Sequence, residues 1–235
     1  MKKTIIVMPV ANEGETMESV IREILSLPYD NLSLYPVIDS FSKDNTEEII
    51  RSFESTGRVK CIYHEESKGV VSCYLKGFKE ALKDGAEQII EMDGGGSHMP
   101  SEIPQFIEKL GGGYDCVWGS RFIEGVSMRS QPLYRKLLSG GGTILANLIL
   151  HTKLKDMTSG FEGFQREVLL HLSLDHFLSN GHMYQTEMRY YCRNLNTVEV
   201  PIHYVGSASS LKMSSVTEAL KILFMLKKHE KEVHK

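Results

Sequence analysis

The chemistry in this chain is concentrated in a few charged residues placed where apolar runs stop. Asp93 stands in Glu91-Met92-Asp93-Gly94-Gly95-Gly96-Ser97-His98-Met99-Pro100. The apolar run before it reads as a buried strand, and the glycines and proline after it read as a loop. A carboxylate is thereby set beside backbone that no side chain screens, and the carboxyl edge of an open α/β sheet is where ligands bind. Asp39 ends a second run, Leu32 to Asp39, in the same way, and Gly119-Ser120-Arg121 ends a third. Two carboxylates and a guanidinium along one sheet edge suit a phosphorylated ligand carrying a metal ion. Two helix caps and an Arg–Asp ion pair account for the same residues, and spacing alone does not separate the readings.

The elements that must position these groups alternate. Thr4 to Val10 is a β-branched run predicted to be a buried parallel strand. Met17, Val20, Ile21, Ile24 and Leu25 then recur at helical spacing. Leu32 to Asp39 is a strand, and Asn45-Thr46 with Glu47 and Glu48 reads as a cap and acidic first turn. Val59 to Tyr63, Val70 to Leu82 and Gln88 to Met92 continue as strand, helix, strand. Such alternation specifies an α/β fold, with a mostly parallel central sheet flanked by helices. No G-x-G-x-x-G follows the first strand and no G-x-x-x-x-G-K-[ST] occurs, which disfavours a Rossmann dehydrogenase or a P-loop ATPase.

Beyond residue 100 the pattern predicts a helix over Ile103 to Leu110 and a strand over Asp115 to Phe122. A helix over Leu133 to Leu150 contains Gly140-Gly141-Gly142, each costing about 1 kcal/mol relative to alanine, so a bend or close packing is expected there. Asp156 to Phe161 reads as a polar loop, Gly181 to Tyr191 as a helix start carrying Gln185 and Glu187, and Val198 to Val205 as a late strand. Val216 to Lys228 is amphipathic. Its apolar stripe suits a membrane surface, packing on its own domain, or a second subunit in a homo-oligomer.

Bulk properties narrow the class. The chain has 235 residues, 41% hydrophobic and 24% charged, enough for one sizeable core. A net charge of -3 gives no basic footprint for nucleic acid. Cys61, Cys73, Cys116 and Cys192 are scattered without a CxxC pair and read as reduced core thiols of a cytoplasmic protein. No run of about 18 apolar residues is present, and Met1 to Pro9 is too short for a signal peptide. One domain over 1–235 is expected, with the strand–helix alternation and the two edge aspartates in 1–100 and the remainder in 101–235.

Several motifs together resemble family 2 glycosyltransferases of the GT-A fold, in the dolichol-phosphate mannosyltransferase-like branch. They are P-V-A-N-E (Pro9 to Glu13), Asp39 with S-K-D-N-T (Ser42 to Thr46), Lys68-Gly69 with Gly77, and M-D-G-G-G-S-H-M-P (Met92 to Pro100). G-S-R (Gly119 to Arg121), D-M-T-S-G-F (Asp156 to Phe161), Q-T-E-M (Gln185 to Met188), E-V-P-I (Glu199 to Ile202) and S-S-L-K-M (Ser209 to Met213) follow in order. The resemblance implies a nucleotide-sugar donor (GDP-mannose or a UDP-sugar), inversion at the anomeric carbon and Mg²⁺ or Mn²⁺. The acceptor it implies is a polyprenyl phosphate, or in a second version a hydroxyl of a glycan or small molecule.

By the same resemblance Pro9, Ala11, Glu13 and Asp39 line the base and ribose pocket, with Lys68 beside them. Asp93 matches the first aspartate of the D-x-D metal motif. Arg121, Arg135, Ser139 and Lys212 match positions near donor or acceptor phosphates, and Glu187 falls on the acceptor side. The second D-x-D aspartate is Gly95 here, the second aspartate and the glycine of D-D-G-S are Ser40 and Phe41, a second glycine is Val71, and an arginine before the late lysine is Gly206. These departures leave room for a chain that binds a nucleotide sugar without transferring it. In a catalytic chain one carboxylate can suffice for Mg²⁺, with waters or His98 completing the shell, His98 favouring Mn²⁺. Arg121, Arg135 and Lys212 then stabilise the leaving diphosphate. A phosphate acceptor needs little help from a base, whereas a hydroxyl acceptor needs a carboxylate, for which Asp156 and Glu187 are the candidates.

Overall fold

A computed structural model describes residues 2–123, 133–172, 174–181, 183–205 and 219–228, with the side chains of 133–138 outside that description. Seven strands form one sheet: β1 Thr4–Val10, β2 Leu32–Asp39, β3 Ile62–His64, β4 Gln88–Glu91, β5 Cys116–Ser120, β6 Glu162–Gln165 and β7 Thr197–Pro201. Their order is β3-β2-β1-β4-β6-β5-β7. β1 to β4 run parallel, β6 runs antiparallel to both β4 and β5, and β7 is parallel to β5. Four helices, α1 Met17–Ser26, α2 Thr46–Ser52, α3 Val70–Lys83 and α4 Ile103–Gly111, link and cover these strands.

β1 is apolar without alternation because both its faces are covered. Successive side chains point to opposite faces, so Ile5 and Val7 join Val37, Tyr74 and Phe78 beneath α3. Ile6 and Met8 join Val20, Ile24 and Phe106 beneath α1 and α4. Gly77 lets α3 lie close on the sheet, since a Cβ there would stand 2.2 Å from Val7 Cγ1.

The structure departs from the expected pattern in several places. β6 and the following α6 Arg166–His171 were not apparent from the sequence, and β6 is what makes the sheet mixed. The long helix, α5 Leu133–Leu150, runs through Gly140 to Gly142, where a Cβ would meet nothing within 4 Å, so close packing at those glycines is not found. The third strand is Ile62–His64, while Val59 makes only an isolated bridge to Leu34. The helix over 219–228 packs on its own domain: Ile222, Leu223 and Leu226 are buried with Ala146 and Leu150 of α5. Among the described residues no helix is long and apolar enough to cross a membrane.

The sheet centre contains charge. Glu91 of β4 and Glu162 of β6 face each other in the antiparallel register, and both are fully buried. Arg189 of α7 Tyr184–Tyr191 is buried beside them, ion-paired to Glu162 and lying 5.1 Å over the Trp118 ring. The Tyr184 hydroxyl donates to Glu91 at 3.2 Å. Opposed like charges disfavour ionising both carboxylates. Burial and then the neighbouring Glu162 raise Glu91 well above the ordinary range. Burial likewise pushes Glu162 up to about 8, with Arg189 acting against the rise. The pair therefore holds one proton, which we place on Glu91 because the cation sits on Glu162.

A raised carboxyl contributes its stability in full below the unfolded value and loses it as the pH climbs through the folded one. The protein is thus expected to lose thermal stability as pH rises above 4.5 and the pair gives up its proton. Glu91→Gln supplies a permanently neutral group that still accepts from Tyr184, so its melting temperature should decline less over that window. An equally steep decline in variant and parent would show that the proton is not shared there.

Candidate active site

The site forms where β1, β2, β4 and β5 end. Asp39 is the last residue of β2 and is nearly buried, its Oδ1 accepting the Phe41 amide at 3.0 Å. The loops after β1 and β2 are tied to one another. The Glu13 amide donates to Thr46 Oγ1 at 2.8 Å, the Gly14 amide to Asp44 at 2.9 Å, and the Lys43 amide to Asn12 at 2.9 Å. Asn12 takes φ 58, the left-handed turn that asparagine tolerates and that directs the chain from β1 into this loop. Pro9 and Ala11 are half-buried at its base. Lys68 is exposed at the amino end of α3, and Ser139 is half-buried in α5.

Asp93 follows β4, and its side chain is 38% exposed. Its Oδ1 accepts from the Tyr74 hydroxyl at 2.8 Å, and Tyr74 stacks on Tyr184 at 5.9 Å. Tyr74 thus couples α3 to the carboxylate. Within the predicted helix Val70 to Leu82, nothing in the sequence shows what the Tyr74 hydroxyl holds.

His98 was expected to complete a metal shell; its Nδ1 is already engaged, while its Nε2 is buried with no hydrogen-bond partner among the described residues. The ring is 1% exposed, stacks on Phe161 at 5.0 Å, and accepts the Asp93 amide on Nδ1 at 3.2 Å. Burial lowers its pKa, so it is neutral with its proton on Nε2. Ligation through Nδ1 would cost the bond that shapes the Asp93 loop.

Glu13 lies across from that loop. A Cβ built on Gly95 would stand 3.1 Å from Glu13 Oε1 and 3.5 Å from its Cδ. Burial raises the Glu13 carboxyl above its ordinary value, Thr16 acts against this, and Asp44 and Asp93 add to the rise. Among the described residues no group of three or more His, Cys, Asp and Glu side chains is arranged to hold a metal. Two carboxylates, Asp93 and Glu13, are nonetheless a hard-oxygen set of the kind Mg²⁺ or Mn²⁺ takes when phosphates and waters fill the remaining positions.

Arg121, just beyond β5, makes a forked pair with Asp156: Nε to Oδ2 at 2.7 Å and Nη2 to Oδ1 at 2.9 Å. The Arg121 amide and Thr158 close the pair, and Glu199 of β7 receives the Asp156 amide at 3.0 Å. Despite burial, the Arg121 guanidinium holds Asp156 at about 2. Asp156 is therefore no proton acceptor near neutrality. The loop it anchors brings Gly160 in, where a Cβ would stand 3.4 Å from Asp93 Oδ1.

Glu187 is likewise fully engaged. It is buried in α7 and accepts the Leu178 amide at 2.8 Å, the Ser179 amide at 2.9 Å and the Tyr191 hydroxyl at 2.8 Å. That set pins the loop over 178–179, while burial, acting against these bonds, raises the carboxyl above its ordinary value. The Arg135 side chain and Lys212 lie outside the described residues.

Among the described residues the site is an edge of the sheet. A cavity of about 270 Å³ among the described residues lies at the other end of the sheet, between Lys2, Thr4, Tyr29 and Gln88.

The Glycosyl transferase family 2 model matches residues 5–172. Among curated relatives, a polyprenol monophosphomannose synthase of Mycolicibacterium smegmatis is 27% identical over 93% of this chain and 84% of its own. A dolichol-phosphate mannosyltransferase of Pyrococcus furiosus is 30% identical over 98% of this chain, which spans 65% of that protein's length. In fold, the chain resembles glucosyl-3-phosphoglycerate synthase of Mycobacterium tuberculosis, solved with Mn²⁺, UDP and glucosyl-3-phosphoglycerate. The TM-score is 0.65 at 17% identity, covering 96% of this chain and 78% of that one.

Asp156 carries a folded pKa below its unfolded value, so its stabilisation is present above pH 3.8 and is lost as pH falls through about 2. That difference corresponds to about 2 kcal/mol. Asp156→Asn leaves Arg121 buried without its counter-charge and should cost about 3–5 kcal/mol near neutral pH in denaturant titrations. The gap from the parent should narrow as pH falls below 3.8. A variant within experimental error of the parent at neutral pH would show that the pair is not a stabilising anchor.

Proposed function

Because this chain belongs to Glycosyl transferase family 2, and is therefore a glycosyltransferase, we propose that it moves a sugar from a nucleoside-diphosphate donor to a polyprenyl phosphate. Transfer proceeds with inversion at the anomeric carbon. GDP-mannose is the first donor to test, since both curated relatives are named for mannose transfer to a polyprenyl lipid. The nucleoside lies at the ends of β1 and β2, against Pro9, Ala11 and Asp39, with Lys68 at the rim. The diphosphate lies toward Asp93, with Arg135, Ser139 and Lys212 as further phosphate contacts.

The observation that carries the acceptor class is the state of the two candidate bases. A hydroxyl acceptor must lose a proton to a carboxylate as it attacks. Asp156 is held near 2 by Arg121, and Glu187 already accepts from two amides and a tyrosine. A phosphate acceptor is an anion near neutrality and needs no such base. Its oxygen forms the new bond to the anomeric carbon as the bond from that carbon to the donor diphosphate breaks, and the electron pair leaves with the diphosphate. When bound, Mg²⁺ or Mn²⁺ on Asp93 neutralises charge on that leaving group. Arg121 keeps the Asp156–Phe161 loop against Asp93, closing one side of the site.

A lipid acceptor also fits the outer faces of two helices. Ile144 and Leu148 of α5 are 63% and 68% exposed, and Phe224 is 62% exposed on the helix over 219–228, which also carries Lys221 and Lys227. Apolar residues flanked by lysine suit peripheral contact with an anionic membrane.

Thermal unfolding with GDP, UDP and their sugars, each with Mn²⁺, Mg²⁺ or EDTA, tests the donor. Ligand at 100 times its dissociation constant adds about 2.7 kcal/mol, and no shift with any nucleotide would sink the reading. Labelled mannose should pass from GDP-mannose to a polyprenyl phosphate in vesicles, and Asp93→Asn should abolish the transfer. Leu148→Glu with Phe224→Glu should release the protein from anionic vesicles in sedimentation while leaving nucleotide binding intact. Vesicle binding unchanged by that pair would remove these faces from the membrane contact.

A further inference from the structure

The D-x-D pattern is broken at Gly95, yet the volume beside that residue is not empty. It holds the carboxylate of Glu13, which comes from another strand's loop and stands 3.1 Å from where a Cβ on residue 95 would be. We propose that Glu13 supplies the second carboxylate of the cation site, taking the place of the side chain that position 95 lacks. This rests on the donor site proposed above.

Three features place Glu13 for that task and not only for contact with a nucleoside. Its backbone is fixed on both sides: the amide donates to Thr46 Oγ1 at 2.8 Å, and the carbonyl accepts the Thr16 and Met17 amides at 3.0 and 2.9 Å. The Asp93 loop reaches Glu13 because Gly94 packs tightly on β1, where a Cβ would stand 2.8 Å from the Pro9 carbonyl oxygen. The third feature is the occupation of the alternatives. His98 is buried with Nδ1 committed to the Asp93 amide, and Ser97 is buried with its hydroxyl 3.4 Å from Asp93 Oδ2. Glu13 stands beside Gly95, two residues after Asp93, and both carboxylates are partly open to solvent. A small hard cation accepts one or two protein carboxylates plus diphosphate oxygens and waters, whichever loops deliver them.

The test is a titration of the full chain with Mn²⁺ in the presence of saturating GDP or UDP, following free Mn²⁺ by its electron spin resonance signal. Glu13→Ala should weaken Mn²⁺ binding by at least about tenfold, since even loss of a residue that only orients a ligand costs 10–100-fold. Any loss of nucleotide affinity should be smaller in EDTA than with Mn²⁺. Glu13→Ala combined with Gly95→Asp should regain most of the Mn²⁺ affinity, because the truncated side chain frees the volume that an aspartate at 95 would enter. Should Glu13→Ala fold poorly, Glu13→Gln keeps the size, removes the charge and is read in the same way. Parental Mn²⁺ affinity in these variants would overturn the proposal. So would an equal loss of nucleotide affinity with and without metal, which would make Glu13 a nucleoside contact. A parent that binds nucleotide but no Mn²⁺ would also overturn it, while leaving the donor site standing.

Discussion

The forked pair between Arg121 and Asp156 is the constraint on which the catalytic edge depends. Removing two charges from water costs several kcal/mol per ion, and attraction recovers this only when geometry is good and the remaining lone pairs and protons are satisfied. Here they are. Asp156 accepts from the Arg121 side chain, the Arg121 amide and the Thr158 amide, and its own amide is taken by Glu199. Three elements, the end of β5, the loop before β6 and the strand β7, are thereby locked in register. Gly160 then meets Asp93 because a loop anchored at Asp156 has little freedom to go elsewhere.

A second layer of buried charge lies beneath this one. Glu91, Glu162 and Arg189 occupy the middle of a sheet where an apolar core would be simpler, and the sheet register forces the two carboxylates together. One proton and one guanidinium make the group neutral, and the Trp118 face supports the cation. The group is joined to the site through aromatic rings: Tyr184 holds Glu91, Tyr74 stacks on Tyr184, and Tyr74 holds Asp93. The Asp93 carboxylate is thus oriented from behind by a rigid column, which leaves its open side for ligand.

The sequence made the first half legible because β1, α1, β2, α3 and β4 each satisfy one periodicity and are punctuated by turn residues. Asp39 and Asp93 could be placed on a common edge from strand order alone. The second half was harder for a physical reason. β6 is only Glu162–Gln165, with a glutamate and a glutamine among its four residues, so no apolar run announces it. Its glutamate is tolerated inside only because Arg189, 27 residues later, comes to meet it. The roles of Asp156 and Glu187 were equally hidden. Type and position make both plausible bases, and the donors that surround each of them are brought there by tertiary structure alone.

The same point bears on Gly95. A sequence pattern such as D-x-D records which residues carry oxygens, whereas a cation responds to where oxygens are. At a sheet edge, loops that follow adjacent parallel strands converge, and β1 and β4 are neighbours here. A side chain missing from the loop after β4 opens a volume that a residue from the loop after β1 can fill without any change of fold. Glycine at 95 is therefore consistent with an intact site, provided the neighbouring loop carries a carboxylate at the right depth. Glu13, fixed through Thr46 and Thr16 and standing beside Gly95, is the carboxylate proposed for that place.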